Sequence, residues 1–303
     1  MVDMTKKRMP RLHVGQGHRR GSLTVFPVWV EGPRTSGVEW SPNGLTVNEL
    51  DTGASVSELG VATRSSSPHA VLEGDLLTGG LQDRMVAASL LLAPEGRGTV
   101  EARCVEQGRW AGSAAHAVDG RRTSPSVRAA SARRSPGDAA SQDRVWRRIR
   151  QFDERLGGSD TGTLAVHLER VDRMRRSPIP RLTGQRGVIV GIGGQIVGAE
   201  IFGSPTGLAA RWQSIVDAAE LDALLAPPVA TTGARARAFA AQLEHTVLLD
   251  GEGAGIARAL RGASAGVSLA GIRLTGGGFD RAVEPSIVHV AAWNLTHPLL
   301  QEV

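Results

Sequence analysis

Residues 187–202 read GVIVGIGGQIVGAEIF, and two fold classes compete for them. Gly191, Gly193 and Gly194 imitate the glycine fingerprint of a dinucleotide-binding turn. That fingerprint works only where the last glycine opens a helix whose N-terminus meets a pyrophosphate. Here the chain continues as QIVGAEIF, β-branched and alternating. Glycines at a two-residue turn between such runs fit a β-hairpin instead. A doubly wound parallel sheet is therefore set aside, and an α+β chain is expected.

Working outward, SPTGLAARWQSIVDAAELDALL begins a helix, with Ser204 as N-cap and Pro205 at the first helical position. Its apolar stripe is Leu208, Trp212, Ile215 and Ala219. Upstream, SQDRVWRRIRQFDERLGG places Val145, Ile149, Phe152 and Leu156 at helical steps, between Ser141 as N-cap and Gly157 as stop. TGTLAVHLERVDRMRR gives a second helix on Leu164, Leu168 and Val171, ended by Pro178 and Pro180. GARARAFAAQLEH is another helix, and GVSLAGIRLTGGG and SIVHVAAWNL return to strand. On the N-terminal side, GSLTVFPVWVEG is apolar on both faces, so it should be a central strand. VSELGVATR, HAVLEG, RMVAASLLLAP and TVEARCVEQ follow as strands. LTVNELDTG is ambiguous, since Thr46 and Glu49 could form a capping box. Residues 1–20 read as a basic disordered tail and 21–110 as a β-rich half, meander- or sandwich-like. Residues 111–140, rich in Arg, Ser and Ala, read as a loop or linker. Residues 141–303 carry helices packed on strands.

The chain has 303 residues, 41% of them hydrophobic, which is enough for a sizeable core. No run approaches the length needed to span a bilayer, and LTVFPVWV after the basic start lacks a cleavage pattern. A single cysteine allows no internal disulfide, so a cytoplasmic setting is expected. The Arg-, Ala- and Gly-rich, tyrosine-free composition has a bacterial-like base bias. The pI near 10.6 suggests polyanions. However, residues 1–20 (net +5) and 121–150 (net +7) exceed the whole chain's +5, so the remaining body is acidic. Nucleic acid is expected only weakly, through the tail, and a membrane partner not at all. Metal-ligand spacing, a Walker motif and a nucleophile elbow are absent, and no cofactor is implied.

The chemistry-bearing stretch is TVEARCVEQGRW, residues 99–110. Strand alternation puts Val100, Ala102 and Cys104 on one face, so Cys104 reads as a buried structural residue. A continued strand turns Glu106 toward the core, where a carboxylate needs a partner. A second polar set, Glu73, Asp75, Gln82, Asp83 and Arg84, lies in LEGDLLTGGLQDR. If 69–73, 85–92 and 99–105 are antiparallel neighbours, Glu106–Trp110 returns beside Glu73–Arg84. The gathered carboxylates, amide, guanidiniums and indole suit a polar small molecule, with Arg84 and Arg109 for an anion. They equally suit a salt-bridged cluster that buttresses the sheet.

LEGDLLTGGLQDRMVAASLLLAP followed by CVEQGRW resembles the ARPP domain family, named for ARG and rhodanese-phosphatase-superfamily-associated proteins and of unknown biochemical function. The matching positions are Glu73-Gly74-Asp75, Gln82-Asp83-Arg84 and Cys104 to Trp110. Gln142, Val145-Trp146, Ser159 to Gly162, Gln185-Arg186-Gly187, Glu200-Ile201-Phe202 and Trp212 follow. Asp83 departs from the usual amide. The resemblance implies a setting in NAD or ADP-ribose metabolism; it also implies that 21–110 and 141–303 form one unit with 111–140 as a loop within it, and it brings Gln185, Arg186 and Glu200 to the CVEQGRW cluster. The expected ligand-binding set is thus Glu73, Gln82, Arg84, Glu106, Arg109, Trp110, Gln185 and Glu200, for a nucleotide or ADP-ribose-like molecule. Glu106 is the candidate acid/base. The alternatives are a non-enzymatic interaction or scaffold module, and a nucleic-acid-associated protein using its basic tail.

Overall fold

The computed structural model describes residues 7–53, 55–132, 139–174, 176–275 and 286–301. The strands are β1 (Lys7–Arg8), β2 (Leu12–Val14), β3 (His18–Arg20), β4 (Leu23–Val30), β5 (Leu45–Asn48), β6 (Glu58–Thr63), β7 (His69–Val71), β8 (Leu76–Gly79), β9 (Arg84–Val86), β10 (Leu90–Leu92), β11 (Arg97–Cys104) and β12 (Ala115–Ala117). Three helices follow, α1 (Pro125–Ala132), α2 (Ala139–Leu156) and α3 (Ala165–Arg173). The chain continues with β13 (Gly187–Ile192), β14 (Gln195–Phe202), α4 (Pro205–Ala223), α5 (Gly233–His245), β15 (Val247–Ala254), β16 (Ala257–Ser264), β17 (Val267–Leu274), β18 (Ser286–Asn294) and α6 (Pro298–Gln301). The class is α+β, with the helices concentrated in the second half. No helix among the described residues is long and apolar enough to cross a membrane.

The hairpin reading of GVIVGIGGQIVGAEIF holds. β13 and β14 pair antiparallel around Gly193 (φ 59°) and Gly194 (φ 88°), the two left-handed positions a type I′ turn requires. They lie inside a ten-stranded antiparallel sheet ordered β1-β15-β16-β17-β18-β14-β13-β4-β2, with β3 also on β4. Val188 and Val190 pack on one face and Ile189 on the other. Both faces are apolar because helices cover both. α4 places Leu208, Trp212, Ile215 and Ala219 on the first face, and α5 places Ala236, Phe239 and Leu243 on the second. Each aliphatic side chain so buried is worth about 1.5–3 kcal/mol. Ser204 caps α4 by accepting from the Gly207 amide.

Strands β11-β6-β5-β12-β8-β9 close into a small barrel with Val47, Leu59, Val61, Leu77, Val86, Val100 and Ala102 inside. Its outer residues Leu76, Met85 and Val105 pack on α1, α2 and α3. β7 and β10 form a separate ribbon against the α4 side of the large sheet.

Several expectations need correction. Residues 7–20 are not a loose tail. Met9 and Leu12 are buried, and β2 and β3 flank β4 on one side. The break between them falls where the Gly15 amide donates to the Pro27 carbonyl and Pro27 has no N–H to return. Residues 1–6 lie outside the described residues. LTVNELDTG forms strand β5, because pairing with β6 and β12 outweighs a local cap. RMVAASLLLAP splits at Ala87–Ser89, since β9 completes the barrel while β10 leaves to join β7.

Nor is 111–140 a linker where it is described. β12 sits between β5 and β8 in the barrel wall, and α1 buries every residue from Ser126 to Ser131. Its small residues allow close packing. Asp222 of α4 caps it, accepting from the Ser126 amide at 2.8 Å and hydroxyl at 2.6 Å. Residues 133–138 lie outside the described residues.

Candidate functional site

Antiparallel pairing sets Cys104 of β11 opposite Arg84 of β9, and the Val105 amide donates to the Asp83 carbonyl. The CVEQGRW turn therefore does return beside Gln82, Asp83 and Arg84. Glu106 is 3% exposed. Its Oε2 accepts from the Asp83 amide at 2.8 Å and from Arg109 Nη2 at 2.7 Å. Burial pushes this carboxyl up, but the hydrogen bonds from Arg109 and the Asp83 amide prevail and hold it below its usual value. All five Arg109 donors are engaged: Nε on Glu106, Nη1 on the carbonyls of Gly80 and Ala111, Nη2 on Gly79, Asp83 and Glu106. Asp83 in turn accepts from the Gly79 amide and the Thr163 hydroxyl. This arrangement is a closed clamp.

Beside it, Gln82 is buried, and Arg84 is wholly buried under the half-exposed Trp110, whose ring centre lies 5.6 Å from its Cζ. Arg84 Nη1 donates to the carbonyls of Ser55 and Val56, and Nη2 is 3.6 Å from Glu49 Oε1. Glu49 also meets His116 Nε2 at 3.3 Å. Sequence reading missed Glu49 and His116. The signal for Glu49 was available, since Leu45, Val47 and Glu49 share one face of a strand.

Glu73 is not part of that rim. It binds Arg128 (2.8 Å), and Arg128 also pairs with Glu200. Arg122 links Asp75 (2.8 Å) to Glu200 (3.2 Å), Arg211 reaches Asp75 (3.0 Å), and His289 Nε2 meets Glu200 (2.9 Å). These seven side chains are all nine-tenths buried or more. Burial opposes ionisation of Glu200, but Arg122, Arg128 and His289 hold its carboxyl well below the usual range. Three arginines face three carboxylates, so the network is balanced. Gln185 and Arg186 join neither cluster. Gln185 bonds the Leu182 amide and Gly187 carbonyl, and Arg186 bonds the carbonyls of Val30, Gly32 and Pro33. Both brace the entry to β13.

Glu73 also lines a cleft of about 380 Å³ between the Ala87–Ser89 bend, β11, α1 and strands β16 and β17. Arg103, Glu101, Ser89, Ser131, Arg261 and Ser268 supply its polar groups, and Leu269, Ala270 and Trp293 its apolar ones. Among the described residues no cluster of three or more His, Cys, Asp and Glu is arranged to hold a metal ion. Cys104 is buried, its thiol is pushed up by that burial, and the Gln142 side chain bonds both its amide and its carbonyl.

The buried imidazoles give a pH expectation. Burial drives His69, His116, His167 and His289 below 6.5, against the pull of their hydrogen-bond partners. A neutral imidazole in the fold means that the unfolded chain binds more protons below that value. Stability should therefore be full above 6.5 and fall as pH drops through it, by up to about 1.4 kcal/mol per imidazole per pH unit. Thermal unfolding followed from about pH 7 to pH 5 checks this; an unchanged midpoint would contradict it.

Searches of curated proteins and of solved structures returned no match. One family model, described as the ARG and Rhodanese-Phosphatase-superfamily-associated Protein domain, matches residues 11–293. That span takes in the clamp, the interior network and all but the edges of the large sheet, so the chain belongs to this domain family.

Proposed function

We propose that this domain binds a polar small molecule of the nucleotide or ADP-ribose class, and that the site is the cleft beside Glu73 rather than the Glu106–Arg109 clamp. The observation that carries the reading is the cleft's lining. Its volume of about 380 Å³ falls in the range of ligand pockets. The guanidinium of Arg261 suits a phosphate, the carboxylates of Glu73 and of Glu101, the latter held by Arg103 at 2.8 Å, suit ribose hydroxyls, and Trp293 with Leu269 suits an apolar ring face. Glu73 is fixed from behind by Arg128, which gives the cleft a rigid inner end.

Calorimetric titration with ADP-ribose, NAD, ADP and inorganic phosphate tests this. At least one nucleotide should bind saturably, and Arg261→Ala, at an exposed strand position, should weaken it about tenfold without altering the unfolding midpoint. A folded protein that binds none of the four would overturn the reading. It would favour an interaction or scaffold module, which the closed Glu106–Arg109 clamp independently suits. A nucleic-acid role through the N-terminal residues has less support, because Lys7 and Arg20 are committed to Asp250 and Glu220.

A further inference from the structure

We infer that the cleft reads one phosphate: it takes a nucleoside monophosphate, or the same unit of a larger nucleotide, laid across β16, β17 and β18 with its ribose inward. This rests on the cleft being the nucleotide site and adds the direction and reach of the ligand. Strand pairing sets Arg261 of β16 opposite Ala270 of β17, Ala270 opposite Ala291 of β18, and Ala291 opposite Glu200 of β14. Directly paired residues share one face of a sheet, so these four form a row. At its inner end Arg128 pairs with Glu200, lies over the Trp293 ring at 5.9 Å and holds Glu73 at 2.8 Å. At its outer end stands the exposed Arg261. Between them the row offers only two methyl groups, which leaves a trough. Neighbouring strands lie about 4.8 Å apart, so Arg261 is two steps, roughly 10 Å, from β18. One ribose and its 5′-phosphate bridge that span. The adjoining row of the same face, Ala263, Ser268 and Trp293, is left for the base.

Charge fixes the direction. Two guanidiniums line the cleft, and Arg103 is already paired with Glu101. Among the described residues Arg261 has no carboxylate partner, so it is the cation left for an anion. A phosphate at the inner end would meet Glu73, with Glu200 behind it, where the arginines are balanced by carboxylates. Ribose hydroxyls donate to a carboxylate without that repulsion, so they belong inside and the phosphate outside. A second phosphate would continue outward past Arg261. Its neighbour there is Leu249, paired with Arg261 on β15 and 58% exposed, which gives an anion nothing that water does not.

The test is calorimetric titration of the full chain with adenosine, AMP, ADP and ADP-ribose. AMP should bind at least about fivefold more tightly than adenosine, and ADP and ADP-ribose should stay within about fivefold of AMP. Arg261→Ala should bring AMP to the level of adenosine and leave adenosine unchanged. Ala270→Leu, in the half-buried middle of the row, should abolish binding of all four in a chain that still unfolds cooperatively. ADP or ADP-ribose binding more than about fivefold more tightly than AMP would overturn the single-phosphate reading, and so would AMP binding no better than adenosine. Either result would leave the cleft standing as the site. AMP binding that survives Ala270→Leu would show that the ligand does not cross the row. A folded protein that binds none of the four would remove the site, and this inference with it.

Discussion

Glu200→Gln is expected to cost about 3–5 kcal/mol of folding stability, a large share of the roughly 5–15 kcal/mol that typical domains possess. The substitution preserves shape, so no cavity contributes. What it removes is the charge shared by Arg122, Arg128 and His289. Three buried guanidiniums, Arg122, Arg128 and Arg211, would then face only the two carboxylates of Glu73 and Asp75, and the desolvation that Glu200 now offsets would be left uncompensated. Urea unfolding measures the loss. Adding Arg128→Gln in the same chain restores the balance of charge, so the double variant should recover more than about 1 kcal/mol relative to additivity. A single variant within about 1 kcal/mol of the parent would mean that the network is not held together by charge.

Arg109→Ala should destabilise by about 2–3 kcal/mol, less than a fully buried pair because Arg109 keeps 27% of its side chain in water. The loss has two parts. Glu106 would remain buried with the Asp83 amide and the Thr161 side chain but no cation, and the carbonyls of Gly79, Gly80 and Ala111 would lose a shared donor. Arg109→Lys should recover less than half, since one ammonium cannot span the positions a planar fork reaches. Hydrogen exchange at residues 79–83 and 105–111 should rise in both variants. Unchanged protection there would contradict the clamp.

The features legible in the sequence were those written locally. Paired glycines between alternating runs specify a hairpin wherever it sits, and Ser204-Pro205 caps its own helix. The return of CVEQGRW to Asp83 and Arg84 followed from strand direction alone. The partition of the charged residues was not local. Glu73 and Arg84 are close in the chain, yet the turn at Leu72–Asp75 sends Glu73 toward Arg128 and Glu200, residues from distant segments. Arg122 and Arg128 looked like the charges of a solvated linker, because nothing in RRTSPSVRAASA shows that buried carboxylates wait for them. Glu200 was named through family resemblance, but its partners are Arg122, Arg128 and His289 rather than the CVEQGRW turn.

The position of β4 has a consequence for biosynthesis. All six barrel strands lie between Leu45 and Ala117, so the barrel can close as soon as that stretch has left the ribosome. β4 is made earlier but joins β13, which emerges roughly 150 residues later, a delay of about 10–30 s at ordinary translation rates. During that interval an apolar strand has one edge covered only by the short β2 and β3 and the other edge unpaired, and this nascent stage is where a chaperone or a self-association event would meet the chain.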